Sequence, residues 1–159
     1  MANAKRIKTF LWFDTEAEEA AKFYTSVFQD GKIGAIARFP EGSPRPAGMV
    51  MTVEFHIAGH DFVALNGGPE FKFNESVSFA IECETQEEID DYWDKLLAGG
   101  GKPVQCGWLK DRYGVSWQVN ASILERAMAG KDKAKAERMM KAMLGMVKLD
   151  IGKLEEVAK

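Results

Sequence analysis

SFAIECETQEEIDDYWDKLL (residues 78–97) and TFLWFDTEAEEAAKFYTSVF (residues 9–28) follow one pattern, and that pattern decides the fold. Sliding the chain against itself by 69 positions lays Thr9-Phe10-Leu11-Trp12 over Ser78-Phe79-Ala80-Ile81 and Glu18-Glu19 over Glu87-Glu88. The same shift lays Phe23-Tyr24 over Tyr92-Trp93 and Val27-Phe28 over Leu96-Leu97, with no gap. Each copy opens with an apolar run of strand type and continues as an amphipathic helix. In the second copy Ile89, Tyr92, Trp93, Leu96 and Leu97 stand at i, i+3, i+4, i+7 and i+8, one continuous apolar stripe. Ala20, Phe23, Tyr24, Val27 and Phe28 hold the same phases in the first. Thr15 and Thr85 are the expected N-caps, with acidic residues following where the helix dipole favours them. Gln29-Asp30-Gly31 and Gly99-Gly100-Gly101 suit the helix ends.

Strand-like runs follow each helix. Lys32–Phe39 closes at the turn-rich Pro40-Glu41-Gly42-Ser43-Pro44; Met49–Ile57 and Asp61–Asn66 are joined by a hairpin at Ala58-Gly59-His60-Asp61. Beyond the second helix, Pro103–Leu109 and Tyr113–Asn120 flank a turn at Lys110-Asp111-Arg112, so this unit is shorter and one strand is abbreviated. Gly67-Gly68-Pro69 reads as the linker. The expected fold is α+β: two βαβββ modules, about 5–66 and 76–120, forming paired half-barrel sheets in a single domain, 1–120. Each helix covers one sheet face, and the inner faces enclose a small-molecule cavity lined by alternate strand residues. Residues 121–159 form a C-terminal helical extension. Ala136, Met139, Met140, Met143, Leu144 and Val147 mark one apolar face there, read as docking onto the sheet or across a dimer. Asp150 is the expected cap of a last short helix carrying Ile151, Leu154 and Val157.

With 159 residues, 46% of them apolar and 28% charged, the chain is long enough for a real core and has a globular composition. A net charge of −3 supplies no basic field, so nucleic acid is not an expected partner. No stretch approaches the roughly 20 apolar residues of a membrane span, so no membrane partner is expected either. Met1 to Lys8 lacks the apolar core and cleavage site of a secretory signal. Two cysteines, Cys83 and Cys106, make neither a disulfide framework nor a metal-type spacing. A cytoplasmic protein is expected.

The two-fold βαβββ plan resembles the vicinal oxygen chelate superfamily of glyoxalases, bleomycin and fosfomycin resistance proteins and extradiol dioxygenases. Within it, Phe10-Leu11-Trp12-Phe13-Asp14, the helix from Glu18-Glu19-Ala20 to Phe23-Tyr24, and Ala64-Leu65-Asn66-Gly67-Gly68-Pro69 resemble the PhnB-like branch. So do Cys106-Gly107-Trp108-Leu109-Lys110-Asp111 and Tyr113-Gly114-Val115-Ser116-Trp117-Gln118. That branch often bears the name 3-demethylubiquinone-9 3-methyltransferase. The resemblance is read as spanning nearly the whole chain, helical tail included.

The resemblance implies metal-ligand positions at the start of the first strand and on the last strand of each module. Carried over, these are Thr9, Ser78, a position near Ala64–Asn66, and Gln118. None is His or Glu, and hydroxyls and neutral amides are poor donors for the divalent metals in question. His56 and His60, the only histidines, read as surface residues. No metal site and no cofactor are expected. Methyl transfer in a doubly wound domain needs a glycine-rich strand-to-helix turn, whereas Gly99-Gly100-Gly101 follows a helix.

Thr9, Trp12, Asn66, Ser78, Trp108, Trp117 and Gln118 are the expected ligand-binding residues: aromatic walls with a few groups that donate and accept hydrogen bonds. Phe10, Phe79, Met49 and Met51 are further candidates for the wall. Cys106, beside Trp108 and Lys110, is the candidate nucleophile. Asp111-Arg112-Tyr113 reads as a turn that aims the final strand. The function read from the sequence is metal-free binding of a small organic molecule by a homodimer. Its rivals are an enzyme built on Cys106 or polar cavity residues, and a metal-dependent lyase or dioxygenase.

Overall fold

The first repeat folds as β1 (Thr9–Phe13), α1 (Ala17–Val27), β2 (Lys32–Arg38), β3 (Val50–Ile57) and β4 (His60–Asn66). The second folds as β5 (Ser78–Cys83), α2 (Gln86–Leu97), β6 (Lys102–Pro103), β7 (Trp108–Lys110) and β8 (Ser116–Ala121). Each module is an open four-stranded mixed sheet, in the orders β1-β4-β3-β2 and β5-β8-β7-β6. In each, the first strand runs parallel to the last and the remaining neighbours are antiparallel. This is the α+β, twice-repeated βαβββ plan read from the sequence, without a closed barrel. The computed structural model describes residues 7–159. The start of the first module and the reading of the leader fall partly on residues 1–6, outside the described residues.

In the first module the stripe of α1 lies on its sheet. Ala17, Ala20 and Ala21 are fully buried, so the helix backbone approaches closely, and Tyr24 stacks on Phe55 at 5.8 Å. Phe55 in turn stacks on Phe62 at 5.2 Å. Full burial of a side chain of this size stabilises by roughly 1.5–3 kcal/mol. In the second module Ile89, Trp93 and Leu96 are the buried residues of α2. Thr85 caps that helix in a capping box with Glu88, as expected. Thr15 does not cap α1. The N-cap position there is Glu16, without a side-chain cap, and the orphan N–H of Ala17 instead meets the side chain of Asn66.

Helices and strands repeat at different offsets. α1 starts 69 residues before α2, but β1 ends at Phe13 and β5 at Cys83, 70 residues apart. Three residues join strand to helix in the first module and two in the second. The gapless match is therefore corrected by one residue in the strands. Thr9, paired with Phe62, corresponds to Phe79, paired with Trp117, and not to Ser78. Because strand side chains alternate, this single residue moves Thr9 and Ser78 to opposite faces.

One further reading changes, and the expected hairpin is found. The run Pro103–Leu109 is not one strand: β6 and β7 are separated by a turn in which Cys106 (φ 60°) and Gly107 (φ 81°) adopt left-handed backbone. The hairpin between β3 and β4 is a two-residue turn, with Ala58 at φ 47° and Gly59 at φ 76°. The carboxylate of Asp30 accepts both their N–H groups, at 2.7 and 2.9 Å. These two backbone donors hold the Asp30 carboxyl below the usual range.

Contacts divide the chain into two compact units between Lys72 and Phe73. The second includes the tail: α3 (Ser122–Ala129), α4 (Lys133–Leu144) and α5 (Ile151–Val157). Asp132 and Asp150 cap α4 and α5 through the N–H groups of Lys135 and Lys153. The expected methionine face is split. Ala136 and Met139 are buried, whereas Met140, Leu144 and Val147 are exposed, Leu144 to 61%. A stripe this wide exceeds what one helix of 12 residues covers against its neighbours. No helix among the described residues is long and apolar enough to cross a membrane.

Candidate functional site

The second sheet presents two chemically different faces. Phe79, Ile81 and Cys83 of β5, Leu109 of β7, and Trp117, Val119 and Ala121 of β8 share the α2 side by strand alternation. Ser78, Ala80, Glu82, Trp108, Lys110, Ser116, Gln118 and Asn120 share the other. On that helix-free face Gln118 Nε2 donates to Ser78 Oγ at 2.9 Å. Ser116, opposite Ser78 in the register and 1% exposed, has a buried hydroxyl with no hydrogen-bond partner among the described residues.

The tail converts part of this face into a groove of about 540 Å³. Its sheet side is Trp108, Gln118 and Asn120, and its helical side is Leu124, Glu125 and Met128 of α3 with Met143 of α4. Cys106 reaches it from the β6–β7 turn. That turn is fixed by backbone alone, since the N–H groups of Cys106 and Gly107 donate to Met146 O (2.8 Å) and Val147 O (2.7 Å). A Cβ at Gly107 would lie 2.9 Å from Val119 O and 3.0 Å from Leu149 Cγ, so close approach as well as conformation requires glycine there.

Glu125 is the one charged residue of the groove lining. Its carboxyl is pushed above the usual carboxylate range, first by desolvation, then by the charge of Glu82 and a hydrogen bond shared with it. Asn120 hydrogen-bonds Glu125 and works in the opposite sense. Two carboxyls that share a hydrogen bond hold a proton more tightly than either would alone. Sequence reading missed both acids. The parity of Glu82 with Ser78 within β5 was a readable signal for Glu82, whereas Glu125 reaches it from α3 and had none.

Of the residues expected to bind ligand, Ser78, Trp108 and Gln118 lie together on the helix-free face, and Cys106 adjoins two of them in the groove. Trp117 lies on the opposite face, 3% exposed, packed on Phe79 and donating from Nε1 to Asp111 Oδ2 at 2.9 Å. Asp111 also accepts from the N–H groups of Tyr113 and Val115, so it builds the turn that aims β8. In the first module Asn66 is 2% exposed; its Oδ1 accepts from Ala17 N and its Nδ2 donates to Val50 O. Thr9 has the parity of Leu11 and Phe13, on the α1 side. Trp12 faces away from α1, donates to Gly68 O at 2.8 Å and meets Phe71 edge-on. Cys83 is buried, and burial followed by the charge of Glu88 pushes its thiol up to about 12, so it is unreactive.

The superfamily's divalent metal finds no matching donors. Ser78 and Gln118 are neutral and hydrogen-bonded to each other, and the first-module position equivalent to Gln118 is Val63, with Lys8 standing where Ser78 does. Lys8 forms an ion pair with Glu54 at 2.6 Å. Among the described residues no three of His, Cys, Asp and Glu converge as a metal cluster. His56 pairs with Asp61 at 2.9 Å, and His60 is exposed.

The family model of the 3-demethylubiquinone-9 3-methyltransferases matches residues 5–120. The chain belongs to that family. It is a PhnB-like member of the vicinal oxygen chelate superfamily, and its structural relatives agree. The PhnB protein of Bacillus cereus, provisionally assigned to the same methyltransferases, is 36% identical, with a TM-score of 0.66 over 74% of this chain and 99% of that one. PA1353 from Pseudomonas aeruginosa (22% identity, TM-score 0.59, 74% and 98% covered) shares the fold. The fosfomycin resistance protein FosX of Listeria monocytogenes (14%, 0.52, 76% and 94%) shares it too. No curated protein matches the chain. The family match stops at residue 120, which corrects the reading that carried it through the tail. This PhnB-like protein therefore borders its groove with helices that lie outside the family pattern.

Proposed function

We propose that this PhnB-like protein binds a small organic molecule without a metal, in the groove between its second sheet and its tail. The groove carries the reading: about 540 Å³ lies within the range of ligand sites. Aromatic and methionine walls stand beside the amides of Gln118 and Asn120, the composition such sites favour. Neutral residues at the carried-over donor positions support the metal-free form. Methyl transfer receives no support from the fold, because among the described residues none of the three strand-to-helix junctions, Asp14-Thr15-Glu16, Glu84-Thr85 and Ala121-Ser122, contains a glycine for a nucleotide cofactor.

The test is native mass spectrometry of the freshly purified chain. A retained small molecule, lost on Trp108→Ala with the fold intact, is the expected result. Bare protein, with no fragment quenching Trp108 in a broad fluorescence screen, sinks the reading. The protein is further proposed to act as a cytoplasmic homodimer. Ile33 and Ile36 on the edge strand β2, and the exposed Met140 and Leu144 on α4, offer apolar surface for pairing. A clean monomer in light scattering at micromolar concentration overturns that part.

A further inference from the structure

We infer that the groove's ligand is an amphiphilic organic cation, with a flat apolar body against Trp108 and an ammonium-type group at Glu125. The inference rests on the binding function proposed above and specifies its chemistry. Apart from Glu125, every residue lining the groove is neutral. The neighbouring cations are already matched: Arg126 pairs with Glu84 at 2.9 Å, and Lys110 with Glu75 at 2.5 Å. An anionic ligand would thus meet a carboxylate with no counter-charge, and a neutral one would leave that carboxylate to be partly desolvated unpaired. A cation answers both. Glu82, reaching Glu125 from β5, doubles the acidic end, and Asn120 from β8 orients it.

Glu125 is the single charged side chain of the lining, and Met128 and Met143 belong to its apolar wall. The geometry therefore favours a molecule with its charge at one end over one charged along its length. The further group that faces Glu125 beside Glu82 is Asn120.

The test uses the full-length protein and three probes of one shape: 1-naphthylmethylammonium, 1-naphthylmethanol and 1-naphthoate, titrated by tryptophan fluorescence with Trp108→Phe assigning the signal. The ammonium is expected to bind about tenfold tighter than the alcohol, with naphthoate weakest. The ratio of ammonium to alcohol affinity should shrink in Glu125→Gln and fall to about one in Glu82→Gln/Glu125→Gln. Equal binding of all three probes through Trp108 overturns the charge class and leaves the binding function standing. A preference that survives the double substitution overturns the placement of the cation. Failure of every probe to bind overturns the inference, whereas the binding function is judged separately by the molecule the purified protein retains.

Discussion

Gln118 Nε2 and Ser78 Oγ lie 2.9 Å apart across the β5–β8 pair, so the two residues at carried-over ligand positions of the second module satisfy one another. Neither brings a negative charge or an imidazole. Incubation with zinc, manganese or iron(II), followed by desalting, should leave well under one metal per chain and no rise in Tm. Stoichiometric metal with a rise of several degrees would show that other donors assemble.

Asn66 ties three elements of the first module together through Ala17 N and Val50 O. Asn66→Ala removes a helix cap and leaves two buried backbone groups unmet, a cost of about 2–4 kcal/mol. A chain of this length should lose about 5–15 °C in Tm. Thr15→Ala, at the position where the sequence points to the cap, should change stability by less than about 0.5 kcal/mol. Calorimetry of the two variants decides between the caps.

Asp111 accepts three N–H donors with its two oxygens, 3% exposed. Asn at this position keeps the shape but turns an NH2 toward at least one of those donors. Asp111→Asn should therefore destabilise by about 2–4 kcal/mol, nearly as much as Asp111→Ala. A near-neutral Asn variant in urea unfolding would mean the carboxylate's second oxygen is dispensable.

Glu125 has a carboxyl whose folded-state value is raised, so the folded protein binds its proton more tightly than the unfolded chain does. The stabilising effect of that proton is full below the unfolded-state value and is lost as pH rises through the folded one. Glu125→Gln stays neutral throughout. It should match wild type near pH 4 and exceed it in Tm at pH 7–8. An equal offset at both pH values would rule out the shared proton.

Most of the architecture follows from the helix stripes. Ile89, Trp93 and Leu96 sit at helical spacing and are the buried residues of α2; Ala20, Tyr24 and Val27 repeat them in α1. The site was harder to read because strands obey a period of two and tolerate no slip. One residue fewer between β5 and α2 is invisible when the helices dominate the match, yet it exchanges the faces of Ser78 and Phe79. The turn at Cys106 was hidden for a different reason. Pro103–Leu109 has no strong turn pair, and its reversal depends on carbonyls of Met146 and Val147, some forty residues later. Asn66 shows the converse: polar and near a strand end, it resembled a binding residue, but its amide completes the backbone of its own module.

The seam between Cys106-Gly107 and Met146-Val147 is made of main-chain atoms, so it does not depend on which side chains the tail carries there. Substitutions along α3 and α4 can reshape one wall of the groove while the sheet beneath keeps its anchorage. Recognition and scaffolding are thereby written in separate stretches of the polypeptide. A different tail on the same 120-residue frame would amount to a new receptor without a new fold.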